Sequence, residues 1–199
     1  MKNNYIDIKR SESSPTEPVT LAQLKAQLYI TFTDDDTLLT SLITQARKAI
    51  ENYCNISIVT QLVVLTADLY DEWELPYGPV TGITSVKTRS ANEGSGPQTY
   101  TTATSGWGYD GEEFLTFIPA DFGQFNPSIP YRGLPDYPYP NRYRIQYNTG
   151  MATVPDDLKL AILQEAAYRF ENRGDALADK GVCEPARILA NPYVRQIWQ

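Results

Sequence analysis

The segment DDDTLLTSLITQARKAIENYC, residues 34–54, decides how this chain folds. Its main apolar residues recur at the 3-4-3-4 spacing of an α-helix, and they are Leu39, Leu42, Ala46, Ala49 and Tyr53. Leu38, Ile43 and Ile50 widen this apolar stripe. The three leading aspartates are suited to bind the free N–H groups of a first helical turn and to meet its positive dipole end. The pattern predicts a long helix that packs on two sides, with Leu38, Ile43 and Ile50 as candidate subunit-interface residues.

Further helices are predicted on both sides of this segment. Thr20 can cap a short helix, with Gln23 as its capping-box partner. A later helix is expected to begin at Pro155 and to end near residue 173, and another short one lies around residues 185–190. We expect residues 19–58 and 152–190 to pack together as one helical bundle.

Residues 59–151 are predicted to be a β-region inserted into that bundle. Short runs rich in β-branched and aromatic residues alternate with Pro and Gly turn signals. The predicted strands cover residues 61–69, 73–76, 83–87, 100–102, 114–118 and 143–147. The fold class is therefore α+β, with an antiparallel β-sandwich or small barrel as the insertion.

Three segments outside these elements have compositions that suit contacts with partners. Residues 1–18 are mostly polar and are predicted to be a flexible N-terminal arm. Residues 119–142 alternate proline with aromatic residues, which predicts a long functional loop with Tyr131, Tyr137 and Tyr139 as contact residues. Residues 191–199 are predicted to be a docking tail, because a short segment after Pro192 has little core to enter; its contact residues are Tyr193, Ile197 and Trp198.

The composition argues against the common kinds of catalytic and metal site. The chain of 199 residues has no histidine and only two cysteines, and its net charge is −7. These facts exclude His-dependent catalysis and a thiolate zinc site, and they disfavour sequence-specific DNA binding. Cys54 and Cys183 are expected to be reduced, partly buried thiols. We predict no catalytic residue, no metal, no cofactor and no membrane span.

Two other hypotheses start from residues around the turn at 107–113. Exposed Trp and Tyr residues, Trp107 among them, would suit a carbohydrate-binding or tail-adhesion module. Asp110 and Glu113 would be the carboxylates of a hydrolase. A solvated acidic turn accounts for the second pattern more simply, because neighbours in sequence rarely flank a substrate.

Three stretches in this order resemble a known protein family. The first is VTLAQLK at residues 19–25, continued by the apolar helix up to Cys54. The second is ELPYGPV at residues 74–80, followed by ITSV at residues 83–86. The third is VP at residues 154–155, LKLAI at residues 158–162 and, further on, Tyr168 and ENR at residues 171–173. Their order and spacing resemble the head–tail connector proteins of tailed bacteriophages, also called adaptor or head-completion proteins.

The resemblance implies a structural virion protein with no catalytic residues. It implies a ring, typically of twelve copies, that joins the portal of the capsid to the next neck or tail protein. The helical bundle would form the ring, the C-terminal segment would dock on the portal, and DNA would pass through the lumen without sequence-specific binding. Such a protein is assembled in the host cytoplasm and ends in the virion neck. The loop at 119–142 and the N-terminal arm lie outside the resemblance.

Overall fold

The computed structural model describes residues 5–12, 16–68, 72–89, 100–103, 107–111, 114–117, 142–173 and 181–195. The chain divides into two compact units. The helical unit comprises residues 13–60 and 150–196, and the β unit comprises residues 1–12, 61–149 and 197–199. The predicted α+β class is confirmed.

The described part of the helical unit contains four α-helices. They are α1 (Leu21–Gln27), α2 (Asp36–Cys54), α3 (Asp156–Glu171) and α4 (Glu184–Ala190), and a single 3-10 turn, Asn191–Tyr193, follows α4. The predicted capping box is confirmed, because the Thr20 hydroxyl accepts from the Gln23 N–H and the Gln23 side chain accepts from the Thr20 N–H. The prediction that the aspartates bind the free N–H groups at the start of α2 is wrong for its N-cap. Asp35, the N-cap, makes no side-chain capping hydrogen bond, and Asp36 pairs with Lys25 at 2.7 Å.

The helices enclose an apolar core to which each of them contributes. The core cluster contains Leu39, Ile43, Ala46 and Ile50 of α2, Leu158, Ala161 and Ile162 of α3, Leu24 of α1 and Ala186 of α4. Burial of these side chains, at roughly 25 cal/mol per Å² of apolar surface, is the main stabilising term of the unit.

The β unit contains two antiparallel sheets among its described residues. The strands are β1 (Tyr5–Glu12), β2 (Gln61–Asp68), β3 (Glu72–Glu74), β4 (Val80–Arg89), β5 (Thr101–Thr102), β6 (Trp107–Tyr109), β7 (Phe114–Phe117) and β8 (Arg142–Thr149). One sheet has the order β1-β2-β8-β4-β5 and the other has the order β3-β7-β6. The six strands predicted from sequence are all present, whereas the sandwich or small barrel stays a prediction.

The β-unit core follows the alternation expected of half-buried strands. Val63 and Leu65 on β2 lie beside Tyr147 and Ile145 on β8, their register partners, and all four are fully buried. The Tyr147 hydroxyl donates to the Pro76 carbonyl at 2.8 Å, so the buried phenol is satisfied.

The predicted N-terminal arm is corrected by the structure. Residues 5–12 form the edge strand β1, which pairs with β2 from Tyr5↔Ala67 to Glu12↔Gln61. Further along, Glu17 bonds to Arg47 and Val19 is buried in the helical unit. A strand at a sheet edge needs only one partner and little apolar burial, so its polar composition resembled that of a tail. The predicted loop at 119–142 lies outside the described residues, except that Arg142 begins β8.

Candidate assembly surfaces

The turn after α1 presents an aromatic side chain on an uncommon backbone conformation. The Ile30 N–H donates to the Lys25 carbonyl and the Tyr29 N–H donates to the Ala26 carbonyl, the pattern of a Schellman C-cap. Such a cap needs a left-handed residue, usually glycine, and here it is Tyr29, with φ at 56°. A non-glycine residue in this region carries steric strain. The Tyr29 side chain is nevertheless 94% exposed, so burial within its own chain does not compensate for that strain.

Lys25 forms two hydrogen bonds to the residues that follow this turn. Its ammonium group donates to the Phe32 carbonyl at 2.5 Å and to the Asp36 carboxylate at 2.7 Å. Phe32 is itself half exposed. Tyr29 and Phe32, which we call the aromatic turn, are therefore two apolar side chains on a backbone with fixed geometry. A contact surface with fixed geometry loses little conformational entropy on binding.

Beneath the surface, α2 carries a buried charged cluster, which we call the arginine cluster. Arg47 is fully buried and donates to Glu17 at 2.9 Å and to Glu51 at 3.0 Å. The other Glu51 oxygen accepts from the backbone N–H groups of Ile58 and Val59, at 2.8 and 3.4 Å. Each buried charge thus has partners, as burial of a charge requires. The cluster joins the segment before α1 and the segment after α2 to the middle of α2.

Glu165 plays a similar part on α3. It is almost fully buried, accepts from Arg169 at 2.7 Å and accepts from the backbone N–H of Cys183 at 2.8 Å. This bond anchors the start of α4 to α3. A groove of about 240 Å³ lies beside it, lined by Gln27, Leu28, Gln164, Ala167, Tyr168, Glu171, Cys183 and Pro185. That volume is below the range of pockets that enclose drug-sized ligands, and the lining offers no cluster of catalytic groups.

The C-terminal segment is bonded to the end of α2. The Arg195 N–H donates to the Cys54 carbonyl at 2.9 Å, and the Asn55 side-chain amide donates to the Arg195 carbonyl at 3.2 Å. The Tyr53 hydroxyl donates to the Asn191 side-chain oxygen at 2.5 Å. These bonds satisfy a carbonyl that the end of a helix leaves without an intrahelical partner.

The predicted interface residues of α2 occupy different environments. Ile43 and Ile50 are 2% and 0% exposed and belong to the core of the helical unit, which accounts for their apolar character. Leu38 is partly buried and keeps some exposed surface. The prediction of a subunit contact on this face therefore rests on Leu38.

Of the predicted docking residues, only Tyr193 lies in the described part of the chain. It is partly buried against the helical core. Ile197, Trp198 and the loop residues Tyr131, Tyr137 and Tyr139 lie outside the described residues. The periodicity argument missed Tyr29 and Phe32; the available signal was two aromatic residues directly after a short helix that ends without a glycine.

The residues considered for chemistry do not form a site in the described ranges. Asp110 is exposed and Glu113 lies outside those ranges. Trp107 is partly buried, and its indole N–H donates to the Ala103 carbonyl at 3.2 Å. No group of three or more Cys, Asp or Glu side chains within the described ranges could hold a metal ion.

None of the helices that the structure describes is both long and apolar enough for a bilayer span.

Both cysteines are buried free thiols, as expected. Burial raises the pKa of Cys54 from 9.0 to about 11. Burial is also the main cause that raises the pKa of Cys183 to about 11. Both thiols are therefore protonated near neutral pH, and Cys54 donates a weak hydrogen bond to the Ala190 carbonyl at 3.5 Å.

Comparison with known proteins gives one family match and a fold shared with solved structures. Residues 18–103 match the sequence model of the family described as phage gp6-like head-tail connector protein. The fold is shared with a chain in the neck of an empty gene transfer agent (GTA) particle computed with C6 symmetry (TM-score 0.68, 20% identity). It is also shared with a chain in the neck of a native GTA particle computed with C12 symmetry (TM-score 0.65, 21% identity). Each alignment covers 96% of this chain and 98% of the other. No curated protein matches the chain.

These findings confirm the resemblance to head–tail connector proteins that the three sequence stretches indicate. The family match covers α1, α2 and the first strands of the insertion, and the shared fold covers nearly the whole chain. Together they show that the chain shares this fold and that residues 18–103 carry the sequence pattern of the connector family.

Proposed function

We propose that this chain, like the head–tail connector proteins that it resembles, forms an oligomeric ring in the virion neck. The ring would contain about twelve copies, in keeping with the C12 symmetry of one neck that shares the fold. It would join the capsid portal to the next neck or tail protein and let DNA pass through its lumen. The chain would act as a structural component and not as an enzyme, and it would be assembled in the host cytoplasm.

The observation that carries this proposal is where the exposed apolar residues lie. In the described part of the chain, every large apolar side chain that is strongly exposed belongs to the helical unit; these are Tyr29, Phe32, Leu160, Ile188 and Val194. Isolated exposed apolar residues are ordinary. The strained aromatic turn is unusual by comparison, because backbone strain at an exposed position is maintained where a function uses it.

A ring of identical subunits needs two different surfaces that fit each other. Closed rings are built from heterologous contacts, in which one face of a subunit meets another face of the next copy. The aromatic turn is flanked by Asp34, Asp35 and Asp36 and would be one such face. The exposed side of α4, with Ile188 beside the ion pair of Arg187 and Glu184, would be the other face.

The remaining predicted contacts fit the same arrangement. Leu38 would add to the subunit contact, and Tyr193, Ile197 and Trp198 would dock on the portal. Tyr131, Tyr137 and Tyr139 would meet a further neck or tail protein. The net charge of −7 suits a lumen through which DNA slides without binding.

The test is assembly on the portal. We would mix the purified protein with the portal protein of the same particle and image the product by negative-stain electron microscopy, with portal alone as the control. We expect an added ring of density on one end of the portal. Portals that stay bare at saturating protein would contradict the proposal, whereas a monomer in the absence of portal would not, since ring formation can require the portal as a template.

A further inference from the structure

The end of α2 and the C-terminal segment are joined by side chains and backbone groups far apart in sequence. Asn55 and Arg195 are 140 residues apart, yet the Asn55 amide donates to the Arg195 carbonyl at 3.2 Å. The Arg195 N–H donates to the Cys54 carbonyl at 2.9 Å. The last described residue is therefore bonded through both its N–H and its carbonyl to one short stretch of chain, residues 54–55.

Asn55 serves two separate purposes there. It is the C-cap of α2, in the left-handed conformation with φ at 56°, and its own N–H donates to the Glu51 carbonyl. Asparagine tolerates this conformation better than other residues with a Cβ atom. The backbone of Asn55 thus ends the helix, and its side-chain amide is left to bind another segment.

The residues next to Asn55 in the chain are themselves hydrogen-bonded to the helical unit. Glu51, one turn earlier on α2, is bonded to Arg47 and to the N–H groups of Ile58 and Val59. On the other side, Tyr53 donates to Asn191, at the base of the C-terminal segment. A bond from Asn55 therefore fixes Arg195 relative to the core of the helical unit and not merely to a neighbouring loop.

We propose that Asn55 is a positioning residue that sets where, and in which direction, the chain leaves the helical unit before the docking residues Ile197 and Trp198. This inference rests on the proposed function, in which those residues dock on the portal. Fixing the base of a short docking segment before it binds lowers the entropy lost on docking. In a ring, the gain is repeated at each copy, so a modest effect on one subunit becomes a large effect on the assembly.

The test separates the amide of Asn55 from its backbone conformation. Asn55→Gly keeps the left-handed cap and deletes the amide, and Asn55→Asp keeps the size and replaces the donor by an acceptor. The matched control is Asn172→Gly, because Asn172 caps α3 and its amide donates to the Tyr168 carbonyl at 2.8 Å, within its own helix. Trp198→Ala reports whether the tail docks at all.

Two measurements are made on the full-length protein. The first is hydrogen–deuterium exchange of C-terminal peptides that contain Arg195. The second is binding of the protein to purified portal protein of the same particle. We expect both Asn55 variants to exchange roughly three- to tenfold faster at Arg195 and to bind portal weaker by a similar factor per subunit, the usual effect of one hydrogen bond. Asn172→Gly should change neither value.

The possible results distinguish this inference from the proposed function. One result would overturn the positioning role and leave tail docking intact. In it, the Asn55 variants exchange faster at Arg195 but bind portal normally, and Trp198→Ala abolishes binding. Unchanged exchange in both Asn55 variants would also overturn it. If Trp198→Ala binds portal like the wild type, the proposed docking segment itself is wrong.

Discussion

The helical unit and the β unit of this chain are stabilised in different ways. Among the described residues of the β unit, the buried side chains are apolar or uncharged, and the one fully buried phenol, that of Tyr147, is satisfied by a backbone carbonyl. The helical unit buries an arginine and two glutamates, and the two glutamates accept hydrogen bonds from the backbone N–H groups of Ile58 and Cys183. Within the ranges that the structure describes, the large exposed apolar side chains follow the same division and belong to the helical unit.

The difference teaches where this protein needs fixed geometry. Buried charge is rarely the cheapest way to stabilise a fold, because desolvation offsets most of the attraction between the charges. The advantage of buried charge is that it fixes the geometry of the bonded segments, since a carboxylate binds particular N–H groups in one arrangement. The helical unit, which also carries the large exposed apolar side chains of the described residues, is the one that uses this device.

The largest effect is expected from breaking the arginine cluster. Glu51→Ala removes a partner of the buried Arg47 and the acceptor of two backbone N–H groups. We expect a loss of about 3–5 kcal/mol in the free energy of unfolding, measured by urea denaturation. Arg47→Met should cost less in the Glu51→Ala background than in the wild type, because the two residues are coupled. Equal costs in both backgrounds would show that the cluster does not act as a unit.

A smaller effect is expected at the buried phenol of the β unit. Tyr147→Phe keeps the ring and leaves the Pro76 carbonyl without this donor. We expect a loss of about 1–3 kcal/mol in unfolding free energy. Tyr109→Phe is the control, because the Tyr109 hydroxyl donates to the Val80 carbonyl at a partly buried position and at the longer distance of 3.2 Å. If Tyr147→Phe lowered the unfolding free energy as much as Glu51→Ala, the two units would not differ in how strongly they depend on buried polar contacts.

The aromatic turn should show opposite effects on stability and on assembly. Tyr29→Gly relieves the left-handed strain, so we expect the free chain to gain about 1 kcal/mol in unfolding free energy. Tyr29→Ala keeps the strain and should show no such gain. Both variants lack the exposed ring and should assemble poorly on the portal. Normal ring formation by both would exclude the aromatic turn from the subunit contact.

The last effect comes from the two buried thiols and appears only at high pH. Their pKa lies near 11 in the folded protein against 9.0 ordinarily, so only the unfolded chain ionises them as the pH rises past 9. Their contribution to stability is complete below pH 9 and falls between pH 9 and 11. Urea denaturation across this range should show a flatter pH dependence in the double variant Cys54→Ala, Cys183→Ala. Identical slopes in variant and wild type would contradict the pKa values.

The sequence predicted the elements of this fold well where the pattern was local. The 3-4-3-4 spacing of residues 39–53 and the capping box at Thr20 each depend on neighbours within one or two turns. The same holds for the six predicted strands, which are bounded by turn residues. The edge strand β1 was missed, because what makes it a strand is β2, some 50 residues further along the chain.

The candidate surfaces were less predictable for a related reason. Ile43 and Ile50 have the same apolar character whether they meet α3 of their own chain or another subunit, so composition could not separate the two cases. Tyr29 gave no periodic signal, because a single exposed aromatic in a turn belongs to no repeat.

The sequence by itself determined the α+β class, the helix–strand–helix order that follows β1, and the resemblance to connector proteins, because these depend on short-range periodicity and on motif order. Only the tertiary structure decided that Arg47 joins Glu17 to Glu51, that Tyr29 is exposed on a strained turn, and that Asn55 binds Arg195. Each of these facts depends on which distant segments come into contact and on how far a side chain is buried. Packing of the whole chain sets both, and no local pattern in the sequence records them.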